Sequence, residues 1–148
     1  MSSFFPDLNV WLALSVAGHR HSPEVWKWLN SLPREAELIF ARYTHIGLLR
    51  LLTSQAVMGE QTLTLRKAWA LYDQWLSDPR VTFLPEPRGL DAVLRETMAP
   101  FASKPATKAV GDCYLLTYAK QSPAVLVTLD QALYSLARKQ GHAAVIPV

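Results

Sequence analysis

Val125-Leu126-Val127-Thr128-Leu129-Asp130 is the stretch whose reading decides the fold. Its first four residues are apolar or β-branched, and Pro123 bounds them upstream. A run this short, uniformly apolar and rich in Val and Thr, reads as a strand buried on both faces. Helical patterns flank it: Asp112 to Lys120 before, and Leu133 to Lys139 after, the latter ended by Gly141. Parallel strands need a crossover between them, usually a helix, so a buried strand between two helices points to a parallel sheet.

The same alternation extends outward. Phe4-Phe5-Pro6 is a first strand, and Leu8 to Val16 a helix with Asp7 at its start. Ser22-Pro23-Glu24 opens a second helix, with Ser22 as its cap and Pro23 where a missing N–H does no harm. Val25, Trp26, Leu29 and Leu32 form its apolar face. Leu38-Ile39-Phe40 is the second strand. Thr44 caps a helix carrying Ile46, Leu48, Leu49, Leu51 and Leu52, and Thr64 caps one carrying Leu65, Ala68, Trp69, Tyr72, Trp75 and Leu76. Val81 to Leu84 is a third strand, and Leu90, Val93 and Leu94 mark a further helix. Residues 99–109 read as a loop with two lysines, and Ala144-Val145-Ile146 as a last strand. The fold class is α/β, a three-layer α/β/α sandwich around a mainly parallel sheet. The pattern leaves the strand order open. With no repeat and no linker, residues 1–148 are expected to form one domain.

Composition narrows the function. Half of the residues are hydrophobic and 18% are charged, which excludes a disordered chain. A single cysteine, Cys113, excludes an internal disulfide framework and any CxxC zinc or redox site, and suits the cytoplasm. No apolar run approaches the roughly 20 residues that span a bilayer, and the N-terminus lacks the pattern of a signal peptide. A net charge of +3 permits an anionic partner such as RNA.

In open parallel sheets, ligands sit beyond the carboxyl ends of the strands. Asp7 directly follows the first strand, and Asp130 lies two residues after Thr128. Asp112 is expected to open the helix that runs back before that strand, which puts its start at the same edge. Three carboxylates are thus expected together. Packed carboxylates repel and raise one another's pKa. A bound Mg²⁺ or Mn²⁺ offsets that repulsion, takes oxygen ligands and bridges to phosphate oxygens. Each Asp, taken alone, reads equally well as a helix cap; their shared location favours chemistry.

Other polar residues are candidates for contact with substrate or metal. Asn9 can orient Asp7 or cap locally. Arg50 suits an RNA phosphate or a site carboxylate. His45 starts a helix near the site and can contact substrate or simply face solvent. Lys104 and Lys108 precede Asp112 and are placed to attract phosphate. His19 and His21 flank Arg20, but no Cys or third His lies nearby to complete a zinc site.

Four blocks resemble the PIN-domain ribonucleases, in particular the VapC-type toxins of toxin–antitoxin pairs: Phe5-Pro6-Asp7-Leu8-Asn9-Val10, Thr44-His45-Ile46-Gly47-Leu48-Leu49-Arg50, Val110-Gly111-Asp112-Cys113-Tyr114-Leu115 and Leu126-Val127-Thr128-Leu129-Asp130. Their order and spacing agree over nearly the whole chain. The resemblance implies a Mg²⁺- or Mn²⁺-dependent endoribonuclease, commonly a homodimer, neutralised by a small antitoxin whose tail blocks the active site. It gives Asp7, Asp112 and Asp130 the metal-ligand roles and lets the Thr128 hydroxyl steady the site.

There is one departure. Where many PIN domains carry an acid three positions before the Arg of the second block, this chain has Gly47. Either three acids and waters suffice, or an acid such as Glu60 or Glu96 moves in. A PIN-like RNA-binding module without activity is the alternative reading. A phosphatase of the haloacid-dehalogenase type is remote: that class needs a second Asp where Asn9 stands, and paired acids where Asp130 is followed by Gln131.

Overall fold

Five short strands lie in one all-parallel sheet, described here from a computed structural model that covers residues 2–148. They are β1 (Ser3–Pro6), β2 (Glu37–Phe40), β3 (Val81–Phe83), β4 (Val125–Val127) and β5 (Ala144–Val145). Their order across the sheet is β3-β2-β1-β4-β5. The chain therefore builds one side of the sheet outward from β1, then returns to the other side of β1 and builds outward again. β1 and β4 sit at the point where the direction reverses, with Phe5 opposite Leu126 and Pro6 opposite Val127.

Among the described residues, eight α-helices connect and flank the strands: α1 (Leu8–Ser15), α2 (Ser22–Ser31), α3 (Arg42–Leu52), α4 (Gln55–Met58), α5 (Leu65–Ser77), α6 (Leu90–Met98), α7 (Thr107–Gln121) and α8 (Gln131–Lys139). Side chains on a strand alternate between faces, and this divides the core in two. Leu38, Phe40 and Val127 face one layer, where Trp11 of α1 stacks on Phe40 at 3.8 Å and Leu48 and Tyr72 pack in from α3 and α5. Phe5, Ile39 and Leu126 face the other, against Leu116 and Tyr118 of α7 and Leu133 of α8. Helices on both faces give the three-layer α/β/α architecture read from the sequence.

Several local expectations change. Ser22 is the first residue of α2 rather than its cap, because His21 takes the cap position and makes no side-chain cap bond. Thr44 lies inside the first turn of α3. Its Oγ1 accepts from the Ala41 N–H at 3.1 Å, so it closes the helix start from within. Thr64 does cap α5, accepting from the Lys67 N–H at 3.3 Å. The loop expected over 99–109 is shorter. A 3₁₀ turn occupies Ala99–Phe101, and α7 begins at Thr107. Asp112 therefore sits in the second turn of α7, not at its opening. No helix among the described residues is long and apolar enough to cross a membrane.

Candidate active site

The carboxyl ends of β1 and β4 are tied together by backbone: the Asp7 N–H donates to the Val127 carbonyl at 2.7 Å. Each strand then turns straight into a helix capped by an aspartate. Asp7 Oδ1 accepts from the Leu8 N–H at 2.6 Å. Asp130 Oδ1 accepts from the N–H groups of Ala132 at 2.8 Å and Leu133 at 3.3 Å. Capping and site-forming are thus one arrangement, since a cap at a switch point puts the second carboxylate oxygen into the crevice.

Thr128 links the two caps. Its hydroxyl donates to Asp7 Oδ2 at 2.8 Å, and the same oxygen accepts from the Asp130 N–H at 3.0 Å. Asp112 reaches the same place from α7, because α7 starts early enough for its second turn to stand beside the strand ends. Asp7, Asp112 and Asp130 together line one cavity of about 480 Å³. Lys108, one turn before Asp112, lies on its wall, and Lys108 Nζ is 3.2 Å from Asp130 Oδ2.

The electrostatics follow from this packing. Burial pushes the Asp7 carboxyl above its ordinary value despite the Thr128 and Leu8 hydrogen bonds, and the charges of Asp112 and Asp130 push the same way. Asp112 is also raised, by burial first and by Asp130 second. Burial acts on Asp130 too, but the Lys108 ammonium and the Leu133 and Ala132 N–H groups outweigh it and hold this carboxyl below its ordinary range. The hydrogen bond to Asp130 in turn raises Lys108.

A raised carboxyl stabilises the fold while it is protonated, and that contribution is lost as pH climbs from the unfolded value through the higher folded one. Asp112→Asn removes this loss. In EDTA the variant is expected to melt above the wild type at neutral pH, with the gap closing as pH falls toward about 4. A gap that widens on acidification would reverse the assigned sign.

The remaining expectations divide. Asn9 lines the cavity, but its side chain makes no hydrogen bond to Asp7, and Asp7 rather than Asn9 caps α1. Its Oδ1 accepts from the Leu129 N–H at 3.3 Å and so holds the segment between Thr128 and Asp130. Arg50 is exposed at the end of α3 and joins no site carboxylate; there its charge favours the helix C-terminus. His45 is 1% exposed, with its ring stacked on Tyr72 at 3.9 Å, so it is a core residue and not a substrate contact. Lys104 lines a neighbouring cavity instead of this one.

No acid replaces the one missing at Gly47. A Cβ at Gly47 would stand 2.7 Å from Leu8 Cδ2, so a Leu8 methyl already covers that position. Glu60 lines a separate cavity with Ser15 and Lys67, and Glu96 lies exposed on α6. Tyr43 was not foreseen. It is 47% exposed on the cavity wall, with its hydroxyl 2.9 Å from where a Gly111 Cβ would lie. An aromatic residue left outside the apolar stripe of α3 was its only trace in the sequence.

Residues 4–139 match the family model described as PIN domain. The chain belongs to the PIN-domain family. Ribonuclease VapC41 of Mycobacterium tuberculosis is 38% identical to it over 130 residues, covering 85% of this chain and 88% of that protein. Among solved structures, VapBC2 from Rickettsia felis, bound to a DNA fragment from its promoter, superposes with a TM-score of 0.68 at 12% identity and covers 97% of each chain. VapC20 of Mycobacterium tuberculosis, a sarcin-ricin loop cleaving toxin, superposes at 0.64 with 16% identity, over 89% of this chain and 93% of that one. At those identities the superpositions speak for the PIN fold alone.

Proposed function

We propose that this PIN-domain chain is a metal-dependent endoribonuclease, the toxin of a toxin–antitoxin pair, with Asp7, Asp112 and Asp130 as its metal-holding residues. One observation carries the reading: three aspartates, drawn from three distant parts of the chain, line one cavity at the switch point of the sheet. The likeness to Ribonuclease VapC41 supports the same conclusion.

The donor set fits a hard divalent cation. Its atoms are carboxylate oxygens, and burial with mutual repulsion leaves Asp7 and Asp112 in need of a counter-charge. Among the described residues, no three His, Cys, Asp or Glu side chains stand close enough to enclose an ion by themselves. A Mg²⁺ or Mn²⁺ ion keeps several waters, so the three aspartates would hold it partly through those waters. When bound, such a cation makes water more acidic and neutralises charge on the phosphoryl oxygens. Thr128 fixes Asp7 by its hydroxyl and Asp130 by accepting its N–H. Asn9 steadies the segment between them. Lys108 stands where it can pass from Asp130 to an RNA phosphate.

A small antitoxin protein is the proposed partner, in the cytoplasm, with the toxin as a homodimer. Half-exposed Trp26, Leu65 and Trp69 on α2 and α5 give an apolar face of the kind a protein partner covers. The decisive test of the activity incubates the wild type with structured RNA in Mn²⁺ or Mg²⁺, with and without EDTA. Cleavage at defined positions that EDTA abolishes is expected. A folded protein that binds the RNA yet cuts none of a broad panel in either metal would instead be an inactive RNA-binding module.

A further inference from the structure

Beside the acid cavity lies a second one, of about 840 Å³, between the turn that precedes α7 and the exposed side of α8. The two share Thr107, Lys108 and Asp112, so they adjoin across the start of α7. Phe101, Pro105 and Leu136 give it an apolar lining. Its rim carries the exposed Lys104, Lys108 and Lys139. Among the described residues, Lys104 and Lys139 enter no ion pair. The size is that of a small-ligand pocket. Apolar lining residues with exposed cations beside them, next to the proposed phosphodiester-cutting site, match a nucleotide: an apolar ring with an anionic backbone.

We propose that this second cavity is a nucleotide subsite, which takes the base next to the scissile phosphate while Lys104 and Lys139 hold the neighbouring phosphates. The inference rests on the ribonuclease reading above and adds to it the source of base preference. Single-stranded RNA is read by splaying out bases and seating them on apolar or aromatic surfaces, and Phe101 and Leu136 supply such a surface. Ser135 and Thr107 bring hydroxyls to the same walls. The charge balance of three lysines to one aspartate favours a polyanion over a basic peptide tail as the occupant.

The test uses a short RNA pool of random sequence, cut in Mn²⁺, with the ends of the products sequenced. The wild type is expected to prefer certain bases at one position adjoining the cut. Ser135→Trp, whose indole would obstruct part of the cavity, should flatten that preference and slow cleavage about tenfold, with its Mn²⁺ affinity and melting temperature kept. The exposed pair Lys104→Ala and Lys139→Ala guards against misfolding of that variant. It should weaken RNA binding and flatten its dependence on log salt by about 1.4. Cleavage by the wild type with no base preference, or a preference and rate unchanged in Ser135→Trp, overturns the subsite and leaves the nuclease reading intact. If Ser135→Trp cuts RNA normally but escapes inhibition by a protein partner, the cavity holds a peptide and the proposal also falls. If the folded wild type cuts none of the pool, the underlying activity itself fails.

Discussion

Asp7→Asn is expected to lower metal-dependent RNA cleavage by on the order of a thousandfold, while the protein stays folded and melts no lower than the wild type. On the proposed reading, the substitution removes one charged ligand of a cation that supplies several kcal/mol of transition-state stabilisation; about 4 kcal/mol corresponds to roughly a thousandfold. The stability estimate comes from the same residue seen from the other side. Asp7 is 8% exposed, its carboxyl is pushed up by burial, and Asp112 and Asp130 repel it. A neutral amide of the same shape relieves that cost and can still accept from the Leu8 N–H. Cleavage assays paired with thermal melts in EDTA separate the two effects. Retention of more than a tenth of the activity would remove Asp7 from the metal site. Loss of activity together with a large drop in melting temperature would make it a structural cap only.

The second large effect belongs to a residue that need not touch substrate. Thr128→Val keeps the shape of the side chain and removes an oxygen that serves both Asp7 and Asp130. A buried carboxylate short of a hydrogen bond typically costs about 1–3 kcal/mol, so unfolding in urea should show a loss of that order. Divalent-cation affinity should fall about 10- to 100-fold, as it does when a supporting hydrogen bond to a ligand is removed. The loss of the Thr128 bond also raises Asp7 further. Because the carboxyl must be ionised to bind a cation, the rising limb of the pH–rate profile should move to more alkaline pH. Thr128→Ser should restore affinity and profile together. A variant that loses stability with an unmoved pH profile would reduce Thr128 to packing.

The strands and the three aspartates were legible because their signals are local. A short β-branched run, an Asp at its end and a helical stripe after it are visible within a dozen residues, and the carboxyl-edge rule does the rest. Asp112 was placed correctly at the edge for a partly wrong reason. Thr107-Lys108-Ala109 lies at the end of the stretch 99–109 that reads as a loop, yet it opens the first turn of α7, and the extra turn is what brings Lys108 against Asp130. His45 escaped because its burial depends on Tyr72, 27 positions away, stacking on the ring. Arg50 joins no site carboxylate and Asn9 changes role for a like reason: whether a polar side chain points into a crevice is set by packing between helices, which no local pattern records. Gly47 shows the limit most directly. The sequence marks a missing acid, and only the packing of Leu8 reveals that its place is filled.

The order of strands also has a consequence for the newly made chain. β1, β2 and β3 are synthesised first and can pair, but they leave Asp7 at a sheet edge with neither of its partner carboxylates. The set is completed only when β4 docks beside β1, and the partners Phe5 and Leu126 are separated by most of the polypeptide. Contacts so distant along the chain form late. A polypeptide emerging from a ribosome therefore has no assembled aspartate cluster until α7, β4 and the start of α8 have been translated and placed.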